Sequence, residues 1–192
     1  EFAVDNNLNS GYKTKKSKSL SRGIAKSTDD SGFDPDWQPQ KNIIWHLGDD
    51  FSQLKSAREA VADINYNVRI GHLDTGYDLT HTALPDAARK NKLQRNFVEG
   101  EDQLDAHDPR INGRLRMPGH GTGTLTLLAG TKVKLNTDDG LFNDDIGGAP
   151  FADIVCCRIS PSVILFKTSA FAEAVNYLTG LAATGTPVHV IS

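Results

Sequence analysis

The 192-residue sequence holds only two cysteines, and they are neighbours: Cys156 and Cys157, inside the apolar run 151–159. That placement excludes a disulfide framework. The expectation is two buried free thiols rather than a strained vicinal bridge or a metal site. No apolar run approaches the ~20 residues that would span a bilayer. The N-terminus lacks the charged-then-apolar pattern of a secretory signal, which in a chain opening on Glu1 says nothing about export. A dominant charge of one sign is missing as well. Lys and Arg number 21 against 24 Asp and Glu, and a net charge of -3 argues neither for nor against a nucleic-acid partner. No internal repeat is present. Compartment stays open on these grounds.

What remains is a soluble, globular composition, 38% hydrophobic and 23% charged, with length enough for one domain and a stable core. Residues 1–41 read as a polar N-terminal segment, expected to be flexible because little in it can bury a core. Lys13, Lys15, Lys16, Lys18, Arg22 and Lys26 make a basic run there, followed by Asp29, Asp30, Asp34 and Asp36. A basic run can meet nucleic acid or an anionic surface, but a solvated tail is the preferred reading, and neither nucleic acid nor membrane is expected as a partner. A folded domain is predicted over 42–192.

Within that domain Asp50, with Gln53 three residues on, reads as a capping box. It would open an amphipathic helix packed through Phe51, Leu54, Ala57, Val61 and Ile64. Asn65-Tyr66-Asn67 breaks it, and Val68-Arg69-Ile70-Gly71-His72-Leu73-Asp74 is a strand that ends in Asp-Thr-Gly. From 77 to 119 the chain is loop-rich, with one short strand around 93–98. His81 and His107 read as surface or turn histidines, and Asp102, Asp105 and Asp108 as a solvated acidic loop. Pro118-Gly119-His120-Gly121 opens a buried helix that stops at Gly130. Residues 135–145 read as a polar surface loop. A strand buried on both faces is predicted at 151–159, a second helix through Phe171, Val175, Leu178 and Ala182, and a β-rich run over 186–192. Ser169 reads as the cap of that second helix. Helices alternating with strands predict an α/β fold, three-layered, with a mostly parallel sheet.

Asp74 is the first candidate for chemistry, because open α/β sheets place their sites beyond the carboxyl ends of strands. An aspartate that merely caps its own turn is the bland alternative. His120 is the second, at a helix start whose flanking glycines let other groups approach closely.

Together, Ile70-Gly71-His72-Leu73-Asp74-Thr75-Gly76 and Gly119-His120-Gly121-Thr122 resemble the Asp and His motifs of the subtilisin-like serine peptidases, the subtilase or S8 family. Gly147-Gly148-Ala149-Pro150 and Val188-His189-Val190-Ile191-Ser192 resemble that family's following turn and strand. The likeness covers roughly 42–192. It implies a subtilisin-like α/β domain and hydrolysis of peptide bonds through an Asp-His-Ser triad. Asp74 would be the orienting acid and His120 the general base and acid. Ser162, Val163 and Ile164 would lie beside a peptide substrate. No cofactor is required for that chemistry. The family often carries structural calcium, and Asp78 and Asp86 lie near positions used for it, although the spacing does not match cleanly. The resemblance also points to a secreted or periplasmic setting.

The sequence departs from the family in two places. Gly123-Thr124-Leu125-Thr126 stands where the family continues its His motif with Val-Ala-Gly, and no Gly-Thr-Ser with a following Pro occurs. The nucleophilic Ser and the oxyanion-hole Asn are therefore expected beyond Ser192, on a remaining C-terminal segment of what reads as a truncated domain. Three other readings stand beside this one. A non-catalytic subtilase-like scaffold would bind peptides without cleaving them. A single-domain aspartic peptidase would use Leu73-Asp74-Thr75-Gly76. A metal hydrolase would use Asp74, His81 and His120, but no closely spaced ligand pair supports it.

Overall fold

Strand β1, Arg69–Asp74, carries the carboxylate to the edge of a sheet and lies between two partners. On one side it pairs in parallel with β5, Asp153–Arg158, in a register running from Arg69↔Asp153 to Asp74↔Arg158. On the other it pairs in parallel with β6, Val190–Ile191, through Ile70↔Val190 and Gly71↔Ile191. Strand β2, Arg95–Asn96, completes the order β2-β5-β1-β6. The computed structural model describes residues 44–48, 51–63, 67–137, 140–165 and 168–192. All belong to a compact unit spanning Gln38–Ser192. The expectations for residues 1–41 and for Asp50 and Ile64 lie outside the described residues.

Period-two alternation sorts β1 onto two faces. Ile70 joins a cluster with Ile154, Cys156, Leu125 and Ala129, which seats helix α3, His120–Ala129, on one face. The short helix α2, Asp86–Lys90, adds Ala88 to the same cluster. Leu73 points the other way, into Val155, Cys157, Ala174 and Leu178 of helix α4, Ser169–Gly180. Gly71 is needed there, since a Cβ would overlap the Leu178 side chain. Leu178 is wholly buried, and such a side chain contributes about 1.5–3 kcal/mol. Apolar clusters on both faces of a parallel sheet make the α/β architecture. Cys156 and Cys157 are free and buried, one in each cluster, and burial pushes the Cys157 thiol up to about 12.

Four expectations are corrected. Residues 135–145 are no loop: β3, Lys132–Thr137, and β4, Gly140–Asp145, form an antiparallel hairpin. The first helix, α1, runs only Leu54–Ala60, and none of its residues is buried. Its charged side chains reach β4 and the turn after it, where Arg58 donates to the Gly147 carbonyl at 3.0 Å and Lys55 pairs with Asp144 at 3.5 Å. Loop 77–119 contains α2 besides β2, and β2 is two residues rather than six. Ser169 begins α4 but caps nothing; Thr168 holds the cap position, and no side-chain capping bond forms. By contrast α3 starts at His120 and stops before Gly130, as its punctuation requires.

Candidate active site

Asp74 is the last residue of β1, and the chain turns at once through Thr75 and Gly76. Gly76 has φ 98°, and a Cβ there would press on the backbone of 106–108. The opposing wall is the first turn of α3. Gly119 precedes it at φ 84°, and its N–H donates to Asp108 Oδ2 at 2.6 Å, which pins the helix start. His120 then projects toward β1, and its Nδ1 lies 2.8 Å from Asp74 Oδ1. Gly121 makes that approach possible: a Cβ would overlap the Gly76 carbonyl and stand 3.1 Å from Asp74 Cβ and Oδ1. Its N–H donates to Thr75 Oγ1 at 3.0 Å. Helix and turn are thus laced together around the pair.

The carboxylate takes further donors. The Thr75 N–H reaches Oδ1 at 2.6 Å, and the Thr124 hydroxyl reaches Oδ2 at 2.8 Å. Burial pushes Asp74 upward, but hydrogen bonds from His120, Thr75 and Thr124 outweigh it and hold the carboxyl below its ordinary value. An ionised acid bound to Nδ1–H leaves Nε2 of His120 as the free base, the tautomer that proton abstraction needs. Asp74 is mostly buried and His120 is 39% exposed, so the acid is shielded while the base meets solvent.

Two residues that sequence reasoning passed over complete the cluster. His72 is buried on β1 two positions before Asp74, and its Nε2 lies 3.1 Å from Thr124 Oγ1. Thr124 is on α3, four positions after His120. The spacing i, i+2 on a strand and i, i+4 on a helix each mark one face, and that was the signal available. A third such residue is Arg158, the register partner of Asp74, fully buried at the end of β5. Its guanidinium grips Glu101 by two bonds, at 2.8 and 3.0 Å, and donates to the Thr75 carbonyl.

Burial lowers the His72 pKa; nearby Asp74 opposes this and His120 adds to it. The native imidazole is therefore neutral where the unfolded one, titrating near 6.5, begins to charge. Unfolding then takes up a proton as pH falls, so this group favours the fold above about 6.5 and progressively less below it. Asp74 adds a second loss lower down, since its depressed native value makes its contribution fade as pH falls through about 4. Thermal midpoints read by circular dichroism should decline from pH 7.5 to 5, and less steeply in His72→Gln. A parallel decline in both proteins would contradict a buried neutral His72.

Ser162 and Ile164 line a groove of about 900 Å³, together with Arg95, Glu101, Arg116 and Ile159. It opens beyond the carboxyl ends of β2 and β5, the edge that also carries Asp74. The Met117 N–H, donating to Pro161 O at 3.4 Å, links its wall to the segment leading into His120. Ser162 is itself buried, and its Oγ accepts from the Ile164 N–H at 3.1 Å. Val163 is exposed beside them and does not line the groove. None of the three bonds to Asp74 or His120.

Among the described residues no group of three His, Cys, Asp or Glu is placed to hold a metal ion. Asp78 and Asp86, the residues near the family's calcium positions, are each engaged by other side chains. Asp78 spends its oxygens on Thr80 and Arg110, and Asp86 pairs with Arg89 at 2.6 Å and Lys90 at 3.2 Å. His81 is exposed, while His107 pairs with Asp105 at 2.6 Å and packs edge-on against Tyr77, so neither joins His120. No helix among the described residues is long and apolar enough to cross a membrane. No protein-family model matches the chain, and no curated protein matches it.

Proposed function

We propose that this chain supplies the acid and base of a subtilisin-type serine endopeptidase, with a subtilisin-like fold. The observation that carries this reading is the 2.8 Å bond between Asp74 Oδ1 and His120 Nδ1 at the carboxyl edge of a parallel sheet. Asp74 orients the ring and offsets the charge it gains. His120 Nε2 removes the proton of a serine hydroxyl as it attacks the peptide carbonyl, then returns it to the leaving amine. Among the described residues no serine hydroxyl is bonded to His120. The nucleophile is accordingly proposed to be a serine that is not among the described residues, and the donors that stabilise the oxyanion likewise. The groove containing Ser162 and Ile164 would take the side chains of an extended peptide. No metal or organic cofactor enters this chemistry.

The environment of Asp74 also weighs between the alternatives. In an aspartic dyad a carboxylate faces a second carboxylate and shares its proton. Here an imidazole, a backbone N–H and a hydroxyl engage both oxygens, which supports an orienting acid. The non-catalytic scaffold differs only in the nucleophile. Treating the full-length protein with a fluorophosphonate probe separates the two: covalent labelling that disappears in His120→Ala is expected. A folded protein that does not label would overturn the peptidase reading and leave the scaffold.

A further inference from the structure

One buried titratable group takes no part in the mechanism above. His72 sits one strand period before Asp74, on the face that meets α3, with no route to substrate. Its Nε2 lies 3.1 Å from Thr124 Oγ1 and 4.0 Å from Asp74 Oδ2. Thr124 Oγ1 in turn has three acceptors within reach: Asp74 Oδ2 at 2.8 Å, the Gly121 carbonyl at 3.2 Å and the His120 carbonyl at 3.3 Å.

A hydroxyl owns one proton, so only one of these bonds can be made at a time. A threonine inside a helix ordinarily gives that proton to the carbonyl three or four residues back. Were that so here, an oxygen lone pair would face an ionised carboxylate oxygen at 2.8 Å. Directing the proton to Oδ2 removes the repulsion and makes a charge-assisted bond. Thr124 Oγ1 is then an acceptor toward His72, and His72 Nε2 must carry hydrogen. The proton positions follow in one direction: His72 Nε2–H to Thr124, Thr124 O–H to Asp74 Oδ2, and His120 Nδ1–H to Asp74 Oδ1. Each donor polarises the next, which strengthens the series.

We propose that His72 and Thr124 are positioning residues, which hold the Asp74 carboxylate in the plane where Oδ1 meets His120. This rests on the reading of Asp74 and His120 as the acid–base pair. The imidazole at 72 keeps the Thr124 hydroxyl turned away from its own helix. The hydroxyl fixes Oδ2, and a carboxylate fixed at Oδ2 and bonded to the Thr75 N–H cannot rotate away from Nδ1.

Nitrogen-15 histidine spectra of the full-length protein at neutral pH test this without turnover. The expected result is His72 as the Nε2–H tautomer, with a low-field His120 Nδ1 proton protected from exchange. Thr124→Val keeps the shape and removes the hydroxyl; that proton should broaden away or move upfield while the circular dichroism stays native. Thr124→Ser should restore it. His72→Gln, whose amide N–H reaches about where Nε2 stands, should retain the signal, and His72→Leu should lose it. In an active protein the Thr124→Val loss is expected in kcat, about 10- to 100-fold, with KM unchanged. An Nδ1–H tautomer at His72, or an unaltered His120 proton in folded Thr124→Val, would overturn the proposal. Failure of fluorophosphonate labelling with the spectra as expected would instead sink the peptidase reading and leave the positioning series standing.

Discussion

Asp74→Asn is expected to lower kcat/KM by roughly 10³- to 10⁴-fold, the cost of removing the orienting acid of a triad. It should do so without disturbing the fold. The Thr75 N–H is fixed in the backbone and demands an acceptor, so the amide oxygen must take the Oδ1 position and the amide nitrogen the Oδ2 position. The Thr124 hydroxyl can turn to the Gly121 carbonyl, already 3.2 Å away, and accept from the new amide. His120 then keeps its Nδ1–H tautomer, and what disappears is the negative charge opposite the imidazolium. The loss should therefore fall on kcat, with substrate binding near that of the parent and a thermal midpoint lowered only by the stability that the ionised carboxylate contributes. A variant that unfolds, or one with unchanged kcat, would remove Asp74 from the proposed role.

Glu101→Ala should cost about 3 kcal/mol of stability, more than Arg158→Met costs. The asymmetry follows from burial. The Arg158 side chain is 1% exposed, whereas the Glu101 side chain is 31% exposed. Removing the carboxylate strands a buried cation on the Thr75 and Ser160 carbonyls alone. Removing the guanidinium lets the carboxylate turn to water while Met fills the space. In a domain of this size the Glu101 variant should melt roughly 6–12 °C lower. Equal losses, or a larger loss in Arg158→Met, would show that the pair does not bear on the fold in this way. The same arginine holds the Thr75 carbonyl, so the Glu101 variant should also loosen the turn that feeds an N–H to Asp74.

The elements legible in the sequence were those whose signals are local. Pro118 and Gly119 in front of His120 and Gly130 behind Ala129 bracket α3 by backbone chemistry alone. The apolar residues Ile154, Val155, Cys156 and Cys157, inside the predicted strand 151–159, announce a strand covered on both faces. The hairpin was hidden because polar residues dominate its strands: Lys132 faces Asp145 and Val133 faces Asp144, and the one apolar cross-strand pair, Leu135 with Phe142, leaves Leu135 exposed. For α1 the error ran the other way. Its apolar spacing is sound for an amphipathic helix, yet Phe51 and Leu54 remain exposed, so periodicity gave the element and overstated its burial. In the site, Asp74 and His120 stood in recognisable motifs, while His72 and Thr124 gain meaning only when strand and helix face one another. Arg158 and Glu101 lie 57 residues apart, and neither hints at the other.

The central place of β1 has a kinetic consequence. Its partners are β5, 84 residues downstream, and β6, where His189 Nδ1 accepts the Arg69 N–H across 120 residues. The strand bearing Asp74 is thus assembled by closing long loops, and such loops close late and slowly. Asp74 and His120 should therefore meet only when β5 and β6 have been laid beside β1 and the sheet is complete.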